Sequence, residues 1–185
     1  MARRVWRLAL VVVLLLVVGA VVLALTTRPR LSDDRSAVDH QWTPLRAPLA
    51  ARYDKLTGAT GAFITAGGGD RAITKDLLTT LKTWSLLHKV PDAKADAVKE
   101  ATTANDLEGL GRRLRATISG SPRFASAPPV TDAITAFETT IPPPTLVKSY
   151  NDAVTKYEHA RSGLLHQTVA DTFGYDSRPV LQIGG

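Results

Sequence analysis

Cysteine is absent from all 185 residues, which excludes a disulfide framework, a thiolate metal ligand, a thiol nucleophile and a lipid-modified cysteine. Aromatic residues make up only 6% of the chain, too sparse for the stacking platforms that bind single-stranded nucleic acids. Acidic residues are missing from residues 1–30, where five arginines carry five of the six net positive charges and leave one for everything beyond. The basicity is therefore confined to one end. Further on, Lys and Arg are interspersed with Asp and Glu, so no nucleic-acid partner is expected. The densest later cluster, Arg112, Arg113 and Arg115, reads as a solvated helix face. No stretch alternates apolar and polar residues with period two, and no internal repeat is present, so a sheet is not expected and an all-α fold is.

What is there begins with an uncharged run of Val, Leu and Ala from Leu8 to Leu25, behind a short basic tail at residues 1–7 that carries Arg3, Arg4 and Arg7. As a helix this run is about 27 Å long, close to the hydrocarbon thickness of a bilayer. Trp6 at its edge suits the headgroup region. The run is longer than a usual cleavable signal and leads through Leu23 and Leu25 into Thr26, Thr27 and Arg28 without a small-x-small site, so an uncleaved transmembrane anchor over 8–25 in contact with membrane lipid is expected. Arginines flank both ends, with a slight bias that places the N-terminus in the cytoplasm and the C-terminal domain outside it. Gly19 and Ala20 do not form a Gly-x3-Gly packing face.

Residues 26–41 read as a linker or loosely helical stalk, and 42–185 as one helical bundle domain, long enough to bury a core by packing alone. Trp42, Leu45, Leu49, Arg52/Tyr53, Leu56 and Phe63 recur at helical spacing, with a start expected at Thr43–Pro44, and at Pro48 either a later start or a bend, and an end at Gly67–Gly69. A second helix is expected over 70–89 with a seam of Ile73, Leu77, Leu81 and Trp84. Pro91 ends it, and Asp92 is the expected cap of a third helix that carries Ala97, Ala101, Ala104, Leu107, Leu110 and Leu114 to about Gly120. A connector over 121–129 precedes a short helix with Val130, Ile134 and Phe137. After Pro142–Pro144 a last long helix, with Leu146, Tyr150, Val154, Tyr157, Ala160 and Leu164 on one side, is expected to run to about Thr172. Antiparallel helices joined by short turns are the natural architecture.

Two groups of residues go beyond pattern. Trp42, Leu45, Leu49, Arg52, Tyr53, Asp54 and Leu56 form one; Tyr150-Asn151-Asp152-Ala153-Val154, Tyr157, Val169-Ala170, Phe173-Gly174-Tyr175 and Pro179 form the other. In order and spacing, behind a single N-terminal apolar segment, they resemble the first helix and the C-terminal signature of the LemA family. The chain resembles a divergent member, with Leu56-Thr57-Gly58-Ala59 after the Arg-Tyr-Asp triplet and Glu158 after Tyr157. The resemblance implies a membrane-anchored, extracytoplasmic, antiparallel LemA-like bundle in a bacterial cell envelope. It marks Trp42, Arg52, Tyr53, Asp54, Tyr150, Asn151, Tyr157, Ala170, Phe173 and Gly174 as the shared structural positions, and it implies no catalytic mechanism.

Physically, Tyr150 and Tyr157 lie seven apart on one helix face, where their rings are expected to pack on the helix of Trp42 and Tyr53 while their hydroxyls find partners. Arg52 and Asp54 do not face each other on a helix. Asn151, Asp152 and Arg52 have the chemistry to meet across helices as a polar latch, a secondary hypothesis, and Phe173, Gly174 and Tyr175 are expected to form a stapled helix end. His40, His88, His159 and His166 are too scattered for a metal site, Gly67–Gly69 lacks the strand and lysine of a phosphate loop, and no G-x-S-x-G or H-E-x-x-H occurs. No catalytic residue, cofactor or metal is therefore expected. The leading functional expectation is a non-enzymatic structural or protein-interaction module with an envelope protein as partner; the alternative is an extracytoplasmic enzyme or small-ligand module with a site between helices.

Overall fold

A computed structural model describes residues 2–183, apart from the side chains of 2–18, 20–27 and 164–166. Seven helices and no strand occur among the described residues: α1 (Ala2–Phe63), α2 (Ala72–His88), α3 (Ala97–Ser119), α4 (Pro122–Ala125), α5 (Pro128–Thr139), α6 (Pro144–Arg161) and α7 (Leu164–Thr172). The all-α bundle expected from the pattern is what forms. Among the described residues no helix is long and apolar enough to cross a membrane. The expected anchor at 8–25 is helical in backbone, but its side chains lie outside the described residues.

The bundle starts earlier than its prolines suggest. No helix begins at Thr43 or Pro48; α1 continues through Pro29, Pro44 and Pro48 without interruption. Each proline removes the hydrogen bond to the carbonyl four residues back, here that of Leu25, His40 and Pro44. Pro44 and His40 are both exposed, and residues four apart share a helix face, so the carbonyl freed by Pro44 lies on the solvent side, where water satisfies it. Thr43 donates its hydroxyl to the Asp39 carbonyl inside the helix and caps nothing. The linker expected at 26–41 is likewise continuous helix, and it buries Leu31 and Val38. Packing therefore begins at least eleven positions before Trp42.

α1 ends in a single π-helical turn, Ile64–Gly68, and the chain reverses at Gly67, whose φ is 93°. From there α2 runs back along α1 and brings Trp84 edge-on to Tyr53, centroids 4.8 Å apart. Ile73, Leu77, Leu81 and Trp84 are all buried, as the seam predicts. After Pro91 the chain makes one 3-10 turn, Asp92–Lys94, so Asp92 does not cap α3; Asp96 does, its carboxylate accepting the Lys99 N–H at 3.1 Å. Burial works against the charged Asp96 carboxylate, but that N–H and the Lys99 ammonium outweigh it and hold its pKa below the ordinary value. All six apolar positions expected in α3 are buried.

α4 and α5 start on prolines at their first turns, and Phe124 packs on Phe63 with centroids 4.6 Å apart. α5 then descends alongside α1 until Arg52 meets its end at Phe137 and Thr140. Pro142–Pro144 redirect the chain into α6, which continues downward: Tyr150 reaches Trp42 and Lys156 reaches Asp34. The result is an up-down-up-down bundle in which α1 and α3 are parallel, and α2 and the α5–α6 pair oppose them. The last helix does not run unbroken to Thr172. It stops at Arg161, and Gly163, at φ 99° and ψ 139°, turns the chain into α7. That pairing of angles is open to glycine and strained for any residue with a Cβ.

Candidate functional site

Four of the shared motif residues converge on a feature absent from the helical pattern, the extended segment over 174–182. It leaves α7 at Gly174, φ 69°, and returns along the groove between α1, α6 and α3. The Tyr157 hydroxyl donates to the Asp176 carbonyl and that of Tyr150 to Pro179, both at 2.9 Å. Asn151 grips Leu181 from both sides: its Oδ1 accepts the Leu181 N–H at 2.8 Å and its Nδ2 donates to the Leu181 carbonyl at 3.0 Å. Asn105 on α3 does the same for its neighbours, accepting from Gln182 N–H and donating to the Val180 carbonyl. Glu158 accepts the Arg178 N–H at 2.6 Å, and Arg178, itself buried, reaches Asp39 on α1 at 3.0 Å. An extended strand has no helix of its own to absorb its N–H and C=O groups, and these side chains supply that ladder. Leu181 and Tyr175 complete the strap by burying their side chains in the core.

Tyr150 thus works at both ends, its ring 5.1 Å from that of Trp42 and its hydroxyl on the strap. The expected core role of Trp42, Tyr53, Tyr150 and Tyr157 is what the packing shows: each is about 1% exposed or less. Burial pushes the phenol pKa of Tyr53, Tyr150 and Tyr157 above its ordinary value, because the phenolate would lose its water. Ala170 on α7 is fully buried, on the face that packs against the bundle. The staple expected of Phe173 and Tyr175 forms on one side only: Tyr175 is buried and donates to the Arg28 carbonyl at 3.3 Å, whereas Phe173 is exposed under the Arg28 guanidinium.

A latch of Arg52, Asn151 and Asp152 does not form. Asn151 belongs to the strap, and Asp152 is exposed and pairs with Lys148 one turn back. Arg52 instead makes a two-pronged contact with Glu108 of α3, Nε to Oε1 at 2.6 Å and Nη2 to Oε2 at 2.8 Å. Its remaining nitrogen donates to the Phe137 and Thr140 carbonyls, both at 2.8 Å, and the Phe137 ring lies 4.1 Å from the guanidinium carbon. One side chain therefore joins α1, α3 and the C-terminal end of α5, where unsatisfied carbonyls favour a cation. Asp54 faces solvent.

A second buried pair lies six positions earlier and was not legible from spacing. Arg46 donates to both carboxylate oxygens of Glu100, at 2.8 and 2.9 Å, to the Val90 and His88 carbonyls, and to Asp92. Trp42 adds its indole N–H to Glu100 at 2.6 Å. Burial opposes the Arg46 charge, yet Glu100 and Asp92 outweigh it and raise its pKa. Glu100 is wholly buried, and its carboxylate oxygens accept from the Arg46 guanidinium and the Trp42 indole.

Among the described residues no three His, Asp or Glu side chains cluster to hold a metal ion. The clefts are surface grooves. One of about 580 Å³, between α1 and α2, is lined by Tyr53, Asp54, Thr57, Trp84 and His88, and the Trp84 and His88 rings stack 5.6 Å apart. Comparison of the chain with family models, with curated proteins and with solved structures finds no match to any of them.

Proposed function

We propose that this chain is a membrane-anchored, LemA-like envelope protein whose bundle serves as a non-enzymatic structural or interaction module outside the cytoplasm. The observation that carries the reading is α1: one helix holds both the apolar run at 8–25 and the bundle positions from Leu31 to Phe63. Such a rod, about 93 Å long, couples an anchor to a domain without a flexible joint. A second support lies in what the motif residues do. Trp42, Arg52, Tyr53, Tyr150, Asn151 and Tyr157 all spend their polar groups on other parts of the same chain, as structural positions would. The enzyme or small-ligand alternative keeps one specific observation in its favour, the groove beside Trp84 and His88 with Asp54 free at its rim.

The cysteine-free chain allows a direct test. Ser36 and Ser177 are both exposed, and single Ser36→Cys and Ser177→Cys variants are treated on intact cells with a membrane-impermeant maleimide before alkaline extraction of the membranes. Retention in the pellet with labelling from outside is the expected outcome. Release by alkali removes the anchor, and labelling only after permeabilisation reverses the topology. Crosslinking from the same thiols that returns no reproducible neighbour counts against an interaction role.

A further inference from the structure

We infer that the α7 end of the bundle is a second membrane contact, in which Phe173 and the arginines Arg28 and Arg30 dock on the headgroups of anionic phospholipid. The inference rests on the anchored reading above. Leu25 closes the apolar run, and Arg28 stands three residues, about 4.5 Å, further along the same helix. Whatever touches Arg28 is therefore at headgroup height. What touches it is Phe173, whose ring lies 5.1 Å from the Arg28 guanidinium carbon, and Tyr175, whose hydroxyl bonds the Arg28 carbonyl. Arg35, two turns up, donates to the Gly174 carbonyl and fixes the same corner. The C-terminal end of α7 is thus brought down to the base of the bundle.

The chemistry of that corner fits a lipid surface. Phe173 is 44% exposed although its neighbour Tyr175 is buried, and an aromatic ring with one apolar face and a wet edge is at home at the bilayer boundary. Arg28 and Arg30 are both exposed, and neither has an ion-pair partner among the described residues. Of the nearby carboxylates, Asp171 lies 3.6 Å from Arg161 and Asp34 is held by Lys156, while exposed Asp33, one turn above Arg30, forms no ion pair with either arginine among the described residues. Arg28 beside the exposed ring, with Arg30 at nearly the same height on another face of α1, is complementary to phosphate headgroups over acyl chains. The consequence is orientational. A single helix leaves a domain free to tilt and spin, whereas a second contact fixes which face of the bundle looks outward.

The test uses the full chain in nanodiscs of phosphatidylglycerol or of phosphatidylcholine, with an environment-sensitive fluorophore on Thr172→Cys, an exposed position beside Phe173. Leu78→Cys on α2, exposed and towards the opposite end of the bundle, is the control. Expected is shielding of residue 172 from the neutral aqueous quencher acrylamide, with quenching by lipid-borne nitroxides, in phosphatidylglycerol and not at residue 78. Phe173→Ser weakens the shielding in phosphatidylglycerol. Each of Arg28→Gln and Arg30→Gln lowers the shielded-to-open ratio in phosphatidylglycerol about fivefold. An inserted chain whose residue 172 is as open to acrylamide as residue 78 in phosphatidylglycerol overturns the contact and leaves the anchor standing. A chain that does not enter the bilayer overturns both.

Discussion

At the scale of single residues the bundle depends on two buried ion pairs, Arg46–Glu100 and Arg52–Glu108, set six apart on α1 and eight apart on α3. Removing one partner strands the other's charge in a low-dielectric interior, whereas removing both returns an apolar contact. Glu108→Leu is expected to cost about 3–5 kcal/mol in denaturant unfolding, and Arg52→Met combined with Glu108→Leu to cost far less than the sum of the single changes. Additive losses would contradict the pairing. The phenols give a pH signature. Tyr53, Tyr150 and Tyr157 have pKa values raised by burial, so the folded state holds protons that the unfolded chain releases near pH 10. Their contribution is complete below about pH 10 and declines above it as pH climbs towards the folded values. Denaturation midpoints measured between pH 8 and 11.5 are expected to fall over the upper part of that range, and Tyr150→Phe to flatten the fall; an unchanged slope would show that the Tyr150 hydroxyl is not shielded.

At the scale of elements, legibility followed local periodicity. The seams of α2 and α3 could be read because an apolar face recurs every three or four residues whatever it packs against. Partners could not be: Arg46 and Glu100 are 54 positions apart, and nothing in either's neighbourhood names the other. Proline and glycine misled in opposite directions. Pro44 and Pro48 signalled a start that tertiary packing overrides, while Gly163 gave little warning of a break within an apolar stripe. The strap was missed because an extended segment held by side chains has no period at all; the signal lay in Asn151 and Tyr157, whose polar groups needed a partner. Gly163→Ala separates the two readings of that stretch. In an unbroken helix the change stabilises by about 0.5–1 kcal/mol, but at φ 99° it is expected to destabilise by about 1–3 kcal/mol in thermal unfolding. A rise in Tm would restore the long single helix.

At the scale of the whole molecule, the two ends of the bundle meet at its base, where Tyr175 touches Arg28 and Arg178 touches Asp39. The strap thereby ties residues 175 and 178 to α1 across 139 positions or more. Deleting residues 176–185 removes buried Leu181 and leaves Asn151, Asn105 and both tyrosine hydroxyls without their main-chain partners, an expected loss of at least about 3 kcal/mol. Full stability in the truncated chain would reduce the strap to decoration. The larger claim is that tether and bundle are one uninterrupted rod. It is tested most directly by the distance between spin labels on Gly19→Cys and Ser36→Cys, measured by pulsed electron resonance on the full chain in nanodiscs. Gly19 has open space for a side chain and Ser36 is exposed. A continuous helix through Pro29 places the two backbones about 25 Å apart with a narrow distribution, and a broad or markedly shorter distribution would contradict it.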